Sequence, residues 1–193
     1  MKIISFEGIE GVGKSTQINL LKDHLEKKQF IVEILREPGS TEVGERIRDL
    51  LLNTDNNLSS ETELLLMFAA RSELINNKIN HLNCDYLLLD RFFDASIAYQ
   101  GYGRNLSLSF IDELTSFIKC PIPHKSILLD IPVELGFLRK TNDKKDRIES
   151  SGNEFFNKVR KGYLKIAKSN PEGFIKINGK NDIDKIHNQI LIN

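Results

Sequence analysis

Short apolar runs punctuate this chain at 2–7, 31–35, 86–90, 126–130 and 174–177, and longer stretches with a helical repeat of apolar positions separate them. The runs are continuous rather than alternating, as expected of strands covered on both faces, and the connections are long enough to hold crossover helices. The pattern therefore predicts a doubly wound α/β fold with five strands in a parallel sheet. Helices are expected over 14–28, 42–53, 60–82, 107–119, 132–140, 152–169 and 181–191. No internal repeat, low-complexity tract or linker interrupts the sequence, so a single domain over 1–193 is expected. The stretch 139–153 alternates charges with almost no apolar content, which makes it the candidate mobile segment.

Lys+Arg and Asp+Glu each number 27, so the formal net charge is zero and no overall field draws the chain to nucleic acid or anionic lipid. Cys84 and Cys120 stand 36 residues apart and form no CxxC, which argues against a disulfide framework or a zinc site. Two free thiols suit a reducing compartment. The apolar run 64–70 is far shorter than the ~18 residues that span a bilayer. The run 3–6 stops at Glu7, too soon for a signal peptide. A cytoplasmic protein without membrane or nucleic-acid partners is the expectation.

The first strand runs into Gly8-Ile9-Glu10-Gly11-Val12-Gly13-Lys14-Ser15-Thr16, which matches G-x-x-x-x-G-K-[ST] between a strand and a helix. Glycines let backbone N–H groups turn inward around phosphate oxygens, and the following helix aims its positive end at the same anion. Lys14 is placed to reach the β- and γ-phosphates of ATP, and the Ser15 hydroxyl to ligate Mg²⁺. Glu10 would be repelled by bound phosphates, so its carboxylate is expected to face something neutral, such as a hydroxyl. Neither DxxG nor NKxD occurs, which sets the chain apart from GTPase switches. Asp90-Arg91 follows the third apolar run instead, putting an acid beside the phosphate loop and an arginine where two phosphates could meet. Arg36 ends the second run, on the side where open α/β sheets bind ligands. Arg71 closes the apolar run 64–70 and needs an acceptor there. Tyr99-Gln100 offers an aromatic wall and an amide.

FEGIEGVGKST, REPGSTEVGERIRDLLL, LLMFAAR, DRFFDASIAYQGYGR, LLLDIPVELGFLRK, DRIE and FFNKVRKGYLKIA, in this order from 6 to about 167, resemble the bacterial thymidylate kinases with a basic lid. The resemblance implies a homodimer that moves the γ-phosphoryl of ATP to dTMP, and a sheet of strand order 2-3-1-4-5. It also implies that Glu10 holds the deoxyribose 3′-hydroxyl and that Arg36 and Arg91 hold the acceptor phosphate. Arg71 and Gln100 would reach the base, Tyr99 would crowd the 2′ carbon, and the Glu37–Pro38 bond would be cis. The segment 177–181 would pass the adenine.

Three departures from the family pattern matter. The aromatic expected four residues before Arg71 is Met67, with Phe68 three before, and both share the helix face of Arg71. Ala95 stands for the first serine after the acid-arginine pair, leaving Ser96 to supply a hydroxyl. The central lid arginine is missing and the alternative cation position in the phosphate loop is Gly11, so the lid must supply the catalytic cation. Lys140, Lys144 and Lys145 are the candidates, with Arg147 beside them. The rival readings are another nucleotide kinase, a deoxynucleoside kinase using Glu37 as base, and a catalytically silent nucleotide-binding module.

Overall fold

The computed structural model describes residues 1–140 and 144–192. Five parallel strands, β1 (Lys2–Glu7), β2 (Val32–Arg36), β3 (Tyr86–Asp90), β4 (Lys125–Asp130) and β5 (Phe174–Asn178), form one sheet in the order β2-β3-β1-β4-β5. Leu87, Leu88 and Leu89 of β3 are all 0% exposed, so both faces of the sheet are covered at its centre. Helices supply that cover on both sides, and the strand order is the one implied by the resemblance.

The helices are α1 (Lys14–Lys27), α2 (Glu42–Leu52), α3 (Ser60–Asn77), α4 (Phe93–Ser96), α5 (Leu108–Phe117), α6 (Val133–Leu138), α7 (Gly152–Ser169) and α8 (Ile183–Ile192). Side-chain caps start four of them: Thr41 accepts from Gly44 N, Ser59 from Thr62 N, Ser107 from Phe110 N and Asp182 from Lys185 N. α3 ends five residues sooner than its apolar repeat suggests. Lys78 leaves helical geometry at φ −135°, and a 3₁₀ turn at Ile79–His81 carries the apolar pattern on and buries Ile79. α8 starts at 183 rather than 181, because the Asp182 carboxylate accepts from Lys185 N and so caps it.

The stretch directly after β3, where no helix is expected from the sequence, is helical. α4 passes into a π-helix at Ile97–Gly103, and its widened turn closes with Arg104 N donating to Tyr99 O. Gly101 and Gly103 serve as close contacts here. A Cβ on Gly103 would meet the Phe155 ring of α7 at 2.6 Å. This packing buries Tyr99 and Gln100 beside the carboxyl ends of the strands.

Candidate active site

A cavity of about 470 Å³ opens at the carboxyl ends of β1, β2 and β3, the edge of an open α/β sheet where ligands bind. Its floor is the loop between β1 and α1. Gly8, Gly11 and Gly13 adopt φ of 133°, 71° and 91°, conformations that a side chain would strain. A Cβ at Gly11 would also collide with the Gly136 carbonyl of α6, so this loop position is closed to any side chain. Val12, Gly13, Lys14, Ser15 and Thr16 line the cavity, while the Gly8 and Ile9 carbonyls lie behind it and accept from Lys14 Nζ at 3.4 and 3.2 Å. Burial pulls the Lys14 ammonium down to about 8, reinforced by the charge of Arg91 and opposed by Asp90, Glu10 and Glu7. Ser15 Oγ donates to Asp90 Oδ2 at 3.3 Å, bringing two oxygen donors together at the start of α1.

Arg91 follows Asp90 with φ 68°, a left-handed conformation that strains a non-glycine residue. Its side chain is held on three sides. Nη1 donates to Gly8 O at 2.6 Å and Tyr163 Oη at 3.2 Å, and Nη2 donates to Glu10 Oε1 at 2.8 Å. Tyr99 Oη donates to the same Glu10 carboxylate at 2.8 and 3.0 Å. The carboxylate inside the phosphate loop thus faces a hydroxyl and a guanidinium. Beneath them Glu7, fully buried, accepts from Phe92 N at 2.9 Å and Tyr163 Oη at 3.0 Å. Burial, with the nearby charge of Asp94, pushes its carboxyl up to about 8.

The far end of the cavity is built on α3 and the π-helix. Arg71, 2% exposed, donates Nε to Glu37 Oε2 at 2.8 Å and Nη2 to Phe92 O at 3.3 Å, so the acceptor that its burial demands exists. Its Nη1 and Glu37 Oε1 have no protein partner among the described residues, and both residues line the cavity. The Glu37–Pro38 bond is cis. Met67 lines the cavity, whereas Phe68 turns into a cluster with Leu64 and Ile111. Ser96, Tyr99 and Gln100 line it too.

Arg36 reaches the cavity from β2 and pairs with Glu45 at 2.9 Å. Beside it stands Arg48 of α2, donating Nη1 to Pro38 O at 2.9 Å, a cavity residue absent from the sequence reading. The signal was available: Gly44 and Leu51 are the buried positions of α2, and 44, 48 and 51 share one helix face.

The four lid cations separate. Lys140 lines the cavity and pairs with Glu149. Lys144 is exposed, and Lys145 Nζ sits 5.3 Å over the Phe137 ring. Arg147 does not line the cavity, donating instead to Leu51 O at 2.7 Å and Glu63 Oε2 at 2.8 Å. Arg139 donates to Gly179 O at 2.9 Å, within the segment expected to pass the adenine. The expected lid includes 141–143, which lie outside the described residues.

A family model described as thymidylate kinase matches residues 6–190. The chain belongs to the thymidylate kinase family. A thymidylate kinase of Vesicomyosocius okutanii is 47% identical over 196 residues, covering 99% of this chain and 96% of that protein. One from Kosmotoga olearia is 41% identical over 192 residues, covering 97% of this chain and 92% of its own length. The crystal structure of thymidylate kinase from Ehrlichia chaffeensis superposes with a TM-score of 0.79 at 31% identity, covering 99% of this chain and 96% of that one. The family's segments meet in space as well as in sequence: the phosphate loop, the turn after β2, α3 and the π-helix enclose one cavity.

Proposed function

We infer that this chain is a dTMP kinase, moving the γ-phosphoryl group of ATP to dTMP to give dTDP and ADP. The observation that carries the reading is Arg71 Nη1, a buried charged donor without a protein partner in the same cavity as the phosphate loop. Such a donor is costly unless a ligand brings an acceptor, and the 4-carbonyl of thymine is one.

The loop from Gly8 to Thr16 receives the ATP phosphates, with Lys14 on the β- and γ-oxygens. Arg36, Arg48 and Arg91 hold the acceptor phosphate. Glu10 takes the 3′-hydroxyl, and the Tyr99 ring fills the space a 2′-hydroxyl would need. Met67 lies along the base, Gln100 meets its edge, and Ser96 offers a hydroxyl to the same slot. Mg²⁺ suits the Ser15–Asp90 pair, since a hard cation takes oxygen ligands and shares its remaining positions with phosphates and water. When bound there it would neutralise phosphate charge. The dTMP phosphate, with its second pKa about 6, is already largely ionised at neutral pH, so no general base is required. Alignment of the two phosphates and neutralisation by Lys14, Arg91 and Lys140 then account for catalysis. Glu37, the one base available to a deoxynucleoside kinase, is committed to Arg71.

Leu50 of α2, Leu65 of α3 and Phe117 of α5 are large apolar residues left exposed on neighbouring helices, the kind of surface that a second copy in a homodimer would cover. No helix among the described residues is long and apolar enough to cross a membrane. Cys84 and Cys120 are both free, in keeping with a cytoplasmic location. A coupled ADP-release assay across dTMP, dUMP, UMP, dCMP, thymidine and no acceptor tests the activity. The highest kcat/KM is expected with dTMP; thymidine in first place, or ADP release indifferent to acceptor, would overturn it.

A further inference from the structure

A carboxamide can offer a base edge either its carbonyl or its NH₂, and the two choices favour different pyrimidines. Thymine and uracil carry an N3–H donor, whereas cytosine carries a lone pair at N3. Gln100, 1% exposed, meets the cavity with one of these two faces. Its Nε2 donates to Glu63 Oε1 at 2.9 Å. Glu63 lies in the first turn of α3, buried, and takes three further bonds: Arg104 Nε at 3.2 Å, Arg104 Nη2 at 3.0 Å and Arg147 Nη2 at 2.8 Å. Burial pushes its carboxyl up, but the hydrogen bonds from Arg104 and Gln100, and then the charge of Arg104 and the bond from Arg147, outweigh it and hold the group below the ordinary value.

An ionised carboxylate only accepts, so only the NH₂ of Gln100 can face Glu63. Its Oε1 is thereby turned away, and no protein donor among the described residues reaches it. We propose that Glu63 determines base specificity by fixing Gln100 as a hydrogen-bond acceptor, so that the site takes a 4-oxopyrimidine bearing N3–H and rejects a 4-aminopyrimidine. The inference rests on the dTMP-kinase reading of the cavity. Glu63 is a positioning residue, acting on the base only through Gln100. The same carboxylate holds Arg147, whose backbone N also donates to Leu52 O at 3.0 Å, so the base slot and the far end of the lid segment are secured by one group.

The test compares kcat/KM for dTMP, dUMP and dCMP in the wild type, in Glu63→Gln and in the double variant Glu63→Gln/Gln100→Glu. In Glu63→Gln the amide at position 63 can face Gln100 with either end, so Gln100 is released to turn. A site built around a buried hydrogen-bonding group discriminates by up to roughly 10⁴–10⁵, so the dTMP-to-dCMP ratio is expected to fall by about tenfold or more, with the ATP KM unchanged within about twofold. In the double variant the carboxylate at position 100 can only accept, and the ratio is expected to recover. A purely structural Glu63 would lower the Tm and the rates with all three acceptors alike, and a folded Glu63→Gln with the wild-type ratio overturns the proposal. If Glu63→Gln does not fold, the wild type decides: preference for dUMP over dCMP supports a fixed acceptor, and equal use of the two overturns it. A wild type inactive on dTMP would overturn the kinase reading itself, a separate result.

Discussion

Arg91 Nη2 lies 2.8 Å from Glu10 Oε1, so the guanidinium that follows β3 and the carboxylate inside the phosphate loop neutralise each other at the centre of the cavity. Tyr99 Oη closes the arrangement by donating to the same carboxylate. Glu10 therefore sets the position of both the Arg91 guanidinium and the Tyr99 ring. A hydrogen bond to a charged group is worth ~1.5–3 kcal/mol. Glu10→Gln is expected to lower kcat/KM for dTMP by roughly ten- to a hundredfold while the ATP KM changes much less. Steady-state kinetics with each substrate varied in turn checks this, and an equal loss toward both substrates would contradict it.

Met67 and Phe68 are adjacent in sequence but answer to different surroundings. Met67 faces the cavity, while Phe68 is 3% exposed among Leu64 and Ile111, with the Arg71 guanidinium 4.8 Å from its ring. Phe68→Ala is expected to cost about 3–5 kcal/mol of stability, the usual loss for a buried phenylalanine, measured by denaturant unfolding. Its dTMP KM should stay near wild type at low temperature. Met67→Ala should raise the dTMP KM with little loss of stability. The opposite assignment of the two effects would move the base slot to the other side of α3.

What could be read from the sequence follows how local the determinants are. The phosphate loop is a contiguous string whose glycines, lysine and serine each answer a local chemical need, and the central strand β3 shows as an apolar run because it is covered on both faces. The π-helix is a different case: an i→i+5 turn has no distinctive period in the sequence, and Gly101 and Gly103 mark close contacts only once α5 and α7 are placed against them. The choice between Met67 and Phe68 was equally hidden, since residues three and four before Arg71 share its helix face and only the packing of Ile111 against Phe68 separates them. Arg48 lies inside the piece REPGSTEVGERIRDLLL, but its reach into the cavity depends on how α2 is oriented. Among the lid cations the charge pattern is uniform, and the side that each faces is decided by Glu149, Phe137 and Glu63 rather than by spacing.

Lys14 carries a pH dependence with a definite sign. Burial depresses its ammonium to about 8, so in the free protein the charge is complete well below that value and is lost as pH rises through it. ATP phosphates favour the charged form. The affinity for ATP is expected to be level in the acidic range and to weaken above about 8, by at most about tenfold per pH unit. Kd values for ATP measured from neutral to alkaline pH provide the check. Lys14→Arg keeps its charge throughout and should remove the alkaline weakening, whatever its effect on turnover. An affinity that strengthens with rising pH would show that Lys14 does not contact the phosphates as a cation.

Lys140 is the lid lysine expected to meet the transferring phosphoryl group. The phosphate loop cannot supply a cation at position 11, because the backbone of Gly136 occupies the space a side chain would need. Lys145 rests over Phe137, Lys144 is exposed, and Arg147 is committed to Leu51 O and Glu63. Lys140 alone among the four lines the cavity in the described residues, and Glu149, itself buried, holds it there. An ammonium is a point charge that neutralises one oxygen but lacks the planar fork that clamps two. Lys140→Ala is therefore expected to lower kcat by about tenfold or more with ATP affinity nearly unchanged, the mark of an interaction made mainly in the transition state. Lys144→Ala and Lys145→Ala should stay close to wild type, as exposed charges seldom matter one at a time. Glu149→Gln should give a smaller loss of kcat than Lys140→Ala, since the cation is kept but less firmly placed. Single-turnover rates with ATP and dTMP separate this loss from slow product release, and an intact rate in Lys140→Ala beside a depressed one in Lys144→Ala would assign the role to Lys144.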